Sequence, residues 1–174
     1  GPAGCGGSQC LLDGLQHLKD RIRFIHQAGE KDLETMTATY RERGFAAEVS
    51  PFITDMAAAY HKADLLLCRA GATSIAEITA GGKASILIPF PFAVNDHQAQ
   101  NAEVLARAGA AEVIAEKDLS GPRLARVIEQ LYRNPGAVRK MDAAAAALGK
   151  RHAAKEIVDI CLTLVRYRPP TGHI

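Results

Sequence analysis

Leu65-Leu66-Leu67-Cys68-Arg69-Ala70-Gly71-Ala72-Thr73-Ser74-Ile75-Ala76-Glu77 decides how this chain folds. The apolar run Leu65–Cys68 reads as a buried strand. Arg69-Ala70-Gly71 reads as a tight turn, and Ala72 onward as the first turn of a helix. A strand feeding a helix through a glycine turn aims free backbone N–H groups and a positive dipole end at one point. A phosphate or a ribose suits that point. The next strand runs into a second loop, Pro89-Phe90-Pro91-Phe92 through Asp96-His97-Gln98, which can face it.

The same alternation extends along the chain. Leu11, Leu12, Leu15 and Leu18 share a helical face, and 22–26 reads as a strand. Helices are predicted over 31–43, 55–61, 73–80 and 96–108, with strands over 46–49, 64–68, 85–88 and 112–115. Gly44, Gly81-Gly82 and Gly109 supply stops. Three helices follow at 120–133, 135–148 and 153–166, and the tail from Tyr167 is expected to be loose. All-apolar strands alternating with helices argue a Rossmann-like α/β domain, a parallel sheet with helices on both faces. Ligands of such folds bind at the carboxyl ends of the strands. That geometry gathers the Arg69–Glu77 turn, the Pro89–Gln98 loop and the loop before Asp55 on one edge.

Bulk properties narrow the function. A length of 174 residues fits one domain with its own core. A net charge of +2 is too small for a nucleic-acid footprint. No apolar run approaches the roughly 18 residues needed to span a bilayer. No signal peptide pattern is visible, and Gly1-Pro2 has the look of a tag-cleavage scar. Cysteines at 5, 10, 68 and 161 show no C-x-x-C spacing, so free, buried thiols are expected rather than a disulfide framework or a zinc site.

Several residues carry two readings. Ser74-Ile75-Ala76-Glu77 fits the S-x-x-E capping box, in which both side chains only satisfy helix-end N–H groups. Alternatively, the Glu77 carboxylate accepts from the two hydroxyls of a ribose. Gly6-Gly7-Ser8-Gln9 opens a helix and is either a plain loop or a phosphate cradle; it is neither a P-loop nor G-x-G-x-x-G. Asp96 is a candidate N-cap, with His97 and Gln98 either surface residues or site residues. His26-Gln27-Ala28-Gly29 ends a strand on the same edge and is turn chemistry or more. Arg69 either pairs with a phosphate or forms an ion pair with Asp64 or Glu77. No G-x-S-x-G, H-E-x-x-H or metal-ligand spacing is present, so no metal and no catalytic nucleophile are expected.

Taken together, these segments resemble the carboxy-terminal half of the MurG family, the glycosyltransferases of peptidoglycan synthesis. The resemblance runs through 55–60, Ala63-Asp64, 68–77, Ile88-Pro89-Phe90-Pro91, Asp96-His97-Gln98, Asn101-Ala102-Glu103 and 108–111, and covers 6 to about 165. Gly6-Gly7-Ser8-Gln9 is similar to the family's second glycine loop. The resemblance implies one half of a GT-B fold, with residues 6–166 as the domain that binds the donor UDP-N-acetylglucosamine (UDP-GlcNAc), 1–5 a tag remnant or altered start, and 167–174 a flexible tail. By similarity, Glu77 holds the uridine ribose and Ile53 contacts the uracil. Ala72, Thr73 and Ser74 meet the diphosphate, Ser8 and Gln9 the phosphate and nucleotide, and Gln98 with His97 the sugar; Arg69 remains a candidate phosphate partner. The implied reaction joins GlcNAc to lipid I to give lipid II, with inversion and without metal or cofactor. The implied acceptor site, catalytic base and membrane-facing patch belong to an amino-terminal domain outside this chain. The implied setting is the cytoplasmic face of the bacterial inner membrane. A partner subunit of a split glycosyltransferase and a UDP-GlcNAc epimerase on the same fold are the alternatives. The family pattern has a strand before the glycine loop and a further glycine after Gln9. Here Gly1–Cys5 is not strand-like and Cys10 follows Gln9, which predicts a sheet with an open edge.

Overall fold

The computed structural model describes residues 7–92, 96–150 and 152–166. The expectations for residues 1–5 and 167–174 fall outside them. In chain order the elements are α1 (Gly7–Gly14), β1 (Arg23–Gln27), α2 (Gly29–Glu42), β2 (Ala46–Ser50), α3 (Met56–Lys62), β3 (Leu66–Cys68), α4 (Ala72–Gly81), β4 (Ser85–Leu87), α5 (His97–Arg107), β5 (Ala111–Val113), α6 (Gly121–Arg133), α7 (Pro135–Leu148) and α8 (Ala153–Arg166). Short 3₁₀ turns lie at Gln16–Leu18 and Glu116–Asp118. The helices end where Gly44, Gly82 and Gly109 stand, each glycine at a positive φ that a β-carbon would disfavour.

All strand pairing is parallel, but it forms two sheets rather than the single sheet expected. β1 pairs with β2, and the second sheet has the order β3-β4-β5. Among the described residues, β1, β2, β3 and β5 each keep one edge unpaired. Apolar packing, not hydrogen bonding, unites the two sheets. Phe24, Ala47 and Val49 from one sheet and Ile86 and Ile88 from the other share a cluster with Leu11, Leu12, Leu15 and Leu18. Phe24 also stacks against Tyr40 and Phe45, with ring centroids 5.1 and 5.6 Å away.

β4 explains the layering. Side chains alternate across a strand, so Ile86 enters the cluster beneath α1 and α6 while Leu87 enters a second one with Ile78, Ala102 and Leu105 of α4 and α5. Helices therefore cover both faces, as expected of a Rossmann-like α/β domain. Burying each such Leu or Ile contributes on the order of 1.5–3 kcal/mol. α7 locks the start of β4, because Asp142 Oδ1 accepts from the Ala84 N–H at 2.7 Å. α8 instead exposes Ile157, Ile160 and Leu164.

The cysteines correct the thiol expectation in part. Cys10 is disulfide-bonded. Cys68 is free and partly buried, and Cys161 is free and exposed.

α1 packs tightly on α6. A β-carbon placed on Gly121 would lie 2.4 Å from Cys10 Cβ and 2.6 Å from the Leu11 nitrogen. Backbone cannot yield there without separating the helices. Gly121→Ala is therefore expected to lower unfolding stability by about 1–3 kcal/mol, the usual cost of overpacking, measured by urea denaturation. A variant as stable as the parent would contradict this packing.

Candidate nucleotide-binding edge

The carboxyl ends of the strands carry the site. β3 ends at Cys68, and Gly71 is the N-cap of α4, in extended conformation with φ −65° and ψ 151°. The Ile75 N–H bonds Gly71 O at 2.9 Å as the first turn of the helix closes. The N–H groups of Ala72, Thr73 and Ser74 precede that bond, so they point out of the helix end with the positive dipole behind them. Ala72 and Thr73 are exposed and Ser74 half-buried. This is the arrangement expected for anion binding.

The capping-box reading of Ser74 and Glu77 does not hold. Gly71, not Ser74, caps α4, and the helix has no side-chain cap. Ser74 lies inside the first turn, too late in the helix to cap it. Glu77 is half-buried, and its Oε2 accepts from the Tyr60 hydroxyl at 2.8 Å. Tyr60 comes from α3, and its phenol is pushed well above its ordinary pKa, first by burial and then by the Glu77 carboxylate. Cys68 lies close enough to feel the same charge. Burial, then Glu77, raises its thiol to about 11, so it stays protonated at neutral pH.

Arg69 takes neither of the protein partners read for it. Its guanidinium donates to Glu116 and to Ile88 O at 3.3 Å, and lies 5.6 Å from the Phe90 ring centre. The Arg69 hydrogen bond holds the Glu116 carboxyl below the usual range. Arg69 thereby joins the turn after β3, the loop after β4 and the 3₁₀ turn after β5. The neighbouring helix closes the arrangement. Asn101 Nδ2 donates to Ala70 O at 3.0 Å, and Gln98 Oε1 accepts from the Phe90 N–H at 2.9 Å. What Gln98 has left to offer a ligand is its amide N–H₂. Asp96 occupies the N-cap position of α5, as read, at φ +54°, but its side chain makes no cap bond. His97 is exposed in the first turn of that helix.

Ile53 lies in the loop between β2 and α3, where its N–H donates to Gln27 Oε1 at 3.0 Å. This bond joins the β1 turn to the loop. Beside it is an open groove of about 430 Å³ lined by Ile25, Val49, Phe52, Ile53, Asp55 and Ala58. Asp55 caps α3, accepting from the Ala58 N–H at 2.9 Å. Ser8 and Gln9 are exposed in the first turn of α1. No hydrogen bond or ion pair ties them to the α4 turn among the described residues. The structure thus links Arg69 and Gln98 through the loop after β4, which both contact; the 72–74 amides follow Arg69 across the same turn, with Glu77 one turn further along α4. Ile53 is held at the neighbouring loop. No group of three or more metal-ligating side chains is found among the described residues.

Sequence reading missed Tyr60, Asn101, Glu116 and the Gln27–Ile53 bond. Arg69 and Glu116 lie 47 positions apart and Gln27 and Ile53 26 apart, so only the folded topology brings them together. Asn101 and Tyr60 each lie on a helix read correctly, and their facing toward the site was the available signal.

An α/β domain with a parallel sheet covered by helices belongs to the class of Rossmann-like folds, whose ligands bind at the carboxyl ends of the strands. The chain belongs to the family described as the glycosyltransferase family 28 C-terminal domain, which matches residues 8–157. It is 58% identical over 158 residues to a UDP-N-acetylglucosamine--N-acetylmuramyl-(pentapeptide) pyrophosphoryl-undecaprenol N-acetylglucosamine transferase of Syntrophus aciditrophicus, covering 91% of this chain and 44% of that protein. A protein of the same name from Myxococcus xanthus is 49% identical over 154 residues, covering 88% of this chain and 40% of its own length. The fold superposes on the crystal structure of Acinetobacter baumannii MurG with a TM-score of 0.78 at 32% identity, covering 92% of this chain and 48% of that one. The chain therefore spans less than half the length of these relatives.

His26, at the end of β1, supplies a pH dependence. Burial lowers its pKa below 6.5, partly offset by Asp32, and the Tyr40 hydroxyl lies 3.2 Å from Nδ1. The unfolded state therefore binds the proton more readily, so this contribution to stability is complete above about pH 6.5 and falls as the pH drops below it. The melting temperature of the parent minus that of His26→Phe is expected to shrink between pH 7.5 and pH 5.5. A difference independent of pH would contradict the assignment.

Proposed function

We propose that this chain is the donor-binding part of an inverting GlcNAc transferase that uses UDP-GlcNAc to convert lipid I to lipid II in peptidoglycan synthesis. The observation that carries the proposal is the α4 N-terminus with Glu77 one turn behind it. The outward N–H groups of Ala72, Thr73 and Ser74 suit a pyrophosphate, and a half-buried carboxylate suits the two hydroxyls of a ribose. The identity to transferases named for this reaction, over 91% and 88% of the chain, supports it.

In this reading the uridine lies along the groove beside Ile53, with its base against the loop whose Ile53 N–H is held by Gln27. The pyrophosphate meets the 72–74 amides, with Arg69 at its flank. The GlcNAc extends toward α5, where the Gln98 amide and His97 meet its hydroxyls. Ser8 and Gln9 approach the phosphates from the α1 turn. A helix N-terminus offsets part of the pyrophosphate charge, and that offset grows as charge collects on the departing UDP. The acceptor, the base that deprotonates its hydroxyl and the contact with the cytoplasmic face of the inner membrane belong to the remainder of the full-length protein. No helix among the described residues is long and apolar enough to cross a membrane.

Glu77→Ala is expected to weaken UDP binding by about 1.5–3 kcal/mol, the usual range for hydrogen bonds to a charged group, measured by isothermal titration calorimetry. Unchanged affinity in a folded variant would overturn the role given to Glu77.

A further inference from the structure

We infer that Tyr60 is a positioning residue for the donor site: its hydroxyl fixes the Glu77 carboxylate in the orientation that receives the ribose. The inference rests on the donor-site reading above and adds a residue to it.

A carboxylate at the end of two methylenes has several rotamers, and a ligand that needs one of them must order the side chain as it binds. Glu77 is already ordered. The Tyr60 hydroxyl occupies one site on Oε2 at 2.8 Å. Oε1 and the remaining lone pair of Oε2 are then presented at a defined angle, enough acceptors for both hydroxyls of a diol. The phenol can act only as a donor to an ionised carboxylate. Its environment keeps it protonated, because burial and the adjacent negative charge both resist loss of its proton.

Tyr60 is itself held in place. α3 is pinned at its start by the Asp55 cap on the Ala58 N–H at 2.9 Å. At its far end Lys83 Nζ donates to Ala63 O at 2.8 Å and His61 O at 3.4 Å. Lys83 follows the C-cap Gly82 of α4, so the helix that carries Glu77 and the one that carries Tyr60 are tied at a second point. The hydroxyl is thus delivered by a short helix clamped at both ends, not by a mobile loop. The same helix borders the groove assigned to the uracil through Asp55 and Ala58. Base recognition and ribose recognition are therefore coupled through α3.

Calorimetry with UDP and with 2′,3′-dideoxy-UDP tests the proposal on the parent, Tyr60→Phe, Glu77→Ala and the double variant. Tyr60→Phe keeps the ring and removes only the hydroxyl. It is expected to weaken UDP binding about 5- to 10-fold, the range for one lost hydrogen bond, and to leave dideoxy-UDP binding unchanged. In the Glu77→Ala background it is expected to cost nothing further. Equal affinity of parent and Tyr60→Phe for UDP, with Glu77→Ala still impaired, overturns the positioning role and leaves the donor site standing. Equal loss for both ligands also overturns it, because it marks a general packing defect. An unimpaired Glu77→Ala overturns the ribose role given to Glu77, on which the positioning role rests. If Tyr60→Phe does not fold, Tyr60→Met, a flexible apolar filler of the same space, is read by the same criteria.

Discussion

Three backbone N–H groups at the start of a helix cannot find partners within that helix, and the rest of this structure positions them. Ala72, Thr73 and Ser74 precede the first closed turn of α4, at the carboxyl end of β3. Unpaired donors are costly when buried and useful when aimed at an anion. The parallel sheet fixes where they point, because a strand that runs directly into a helix leaves little freedom in the three-residue turn between them. The turn is then held from two sides: Asn101 grips Ala70 O, and Arg69 reaches Ile88 O and Glu116.

Around these amides the polar groups form linked pairs, not isolated ligands. Gln98 holds the Phe90 N–H, Gln27 holds the Ile53 N–H and Tyr60 holds Glu77. Each pair leaves part of a side chain or backbone group unused and fixes its direction. Such pre-ordering lowers the entropy that a ligand must supply on binding. The half-buried setting of Glu77 also strengthens a hydrogen bond to a charged acceptor relative to open solvent.

The fold was legible wherever local pattern and tertiary role coincide. Leu11, Leu12, Leu15 and Leu18 repeat at helical spacing because they face one cluster, and all four are buried. β4, Ser85-Ile86-Leu87, is buried on both faces, which is why no apolar–polar alternation marks it. Local reading failed where a motif had a competing structural explanation. S-x-x-E at 74–77 looks like a capping box, but an extended Gly71 starts the helix earlier and shifts Ser74 out of the cap position. It failed again where partners are distant in sequence, as for Arg69 with Glu116. The division of the strands into two sheets was also outside local pattern, since nothing within β1 or β3 states which neighbours pair with them.

Chemical-shift mapping of the isotopically labelled chain during titration with UDP-GlcNAc tests the central claim most directly. The account predicts that the amides of Ala72, Thr73 and Ser74 move together and saturate with one affinity, followed by smaller shifts at Ile53 and Gln98. A folded protein whose 72–74 amides stay in place while UDP-GlcNAc binds elsewhere, or does not bind, would contradict it.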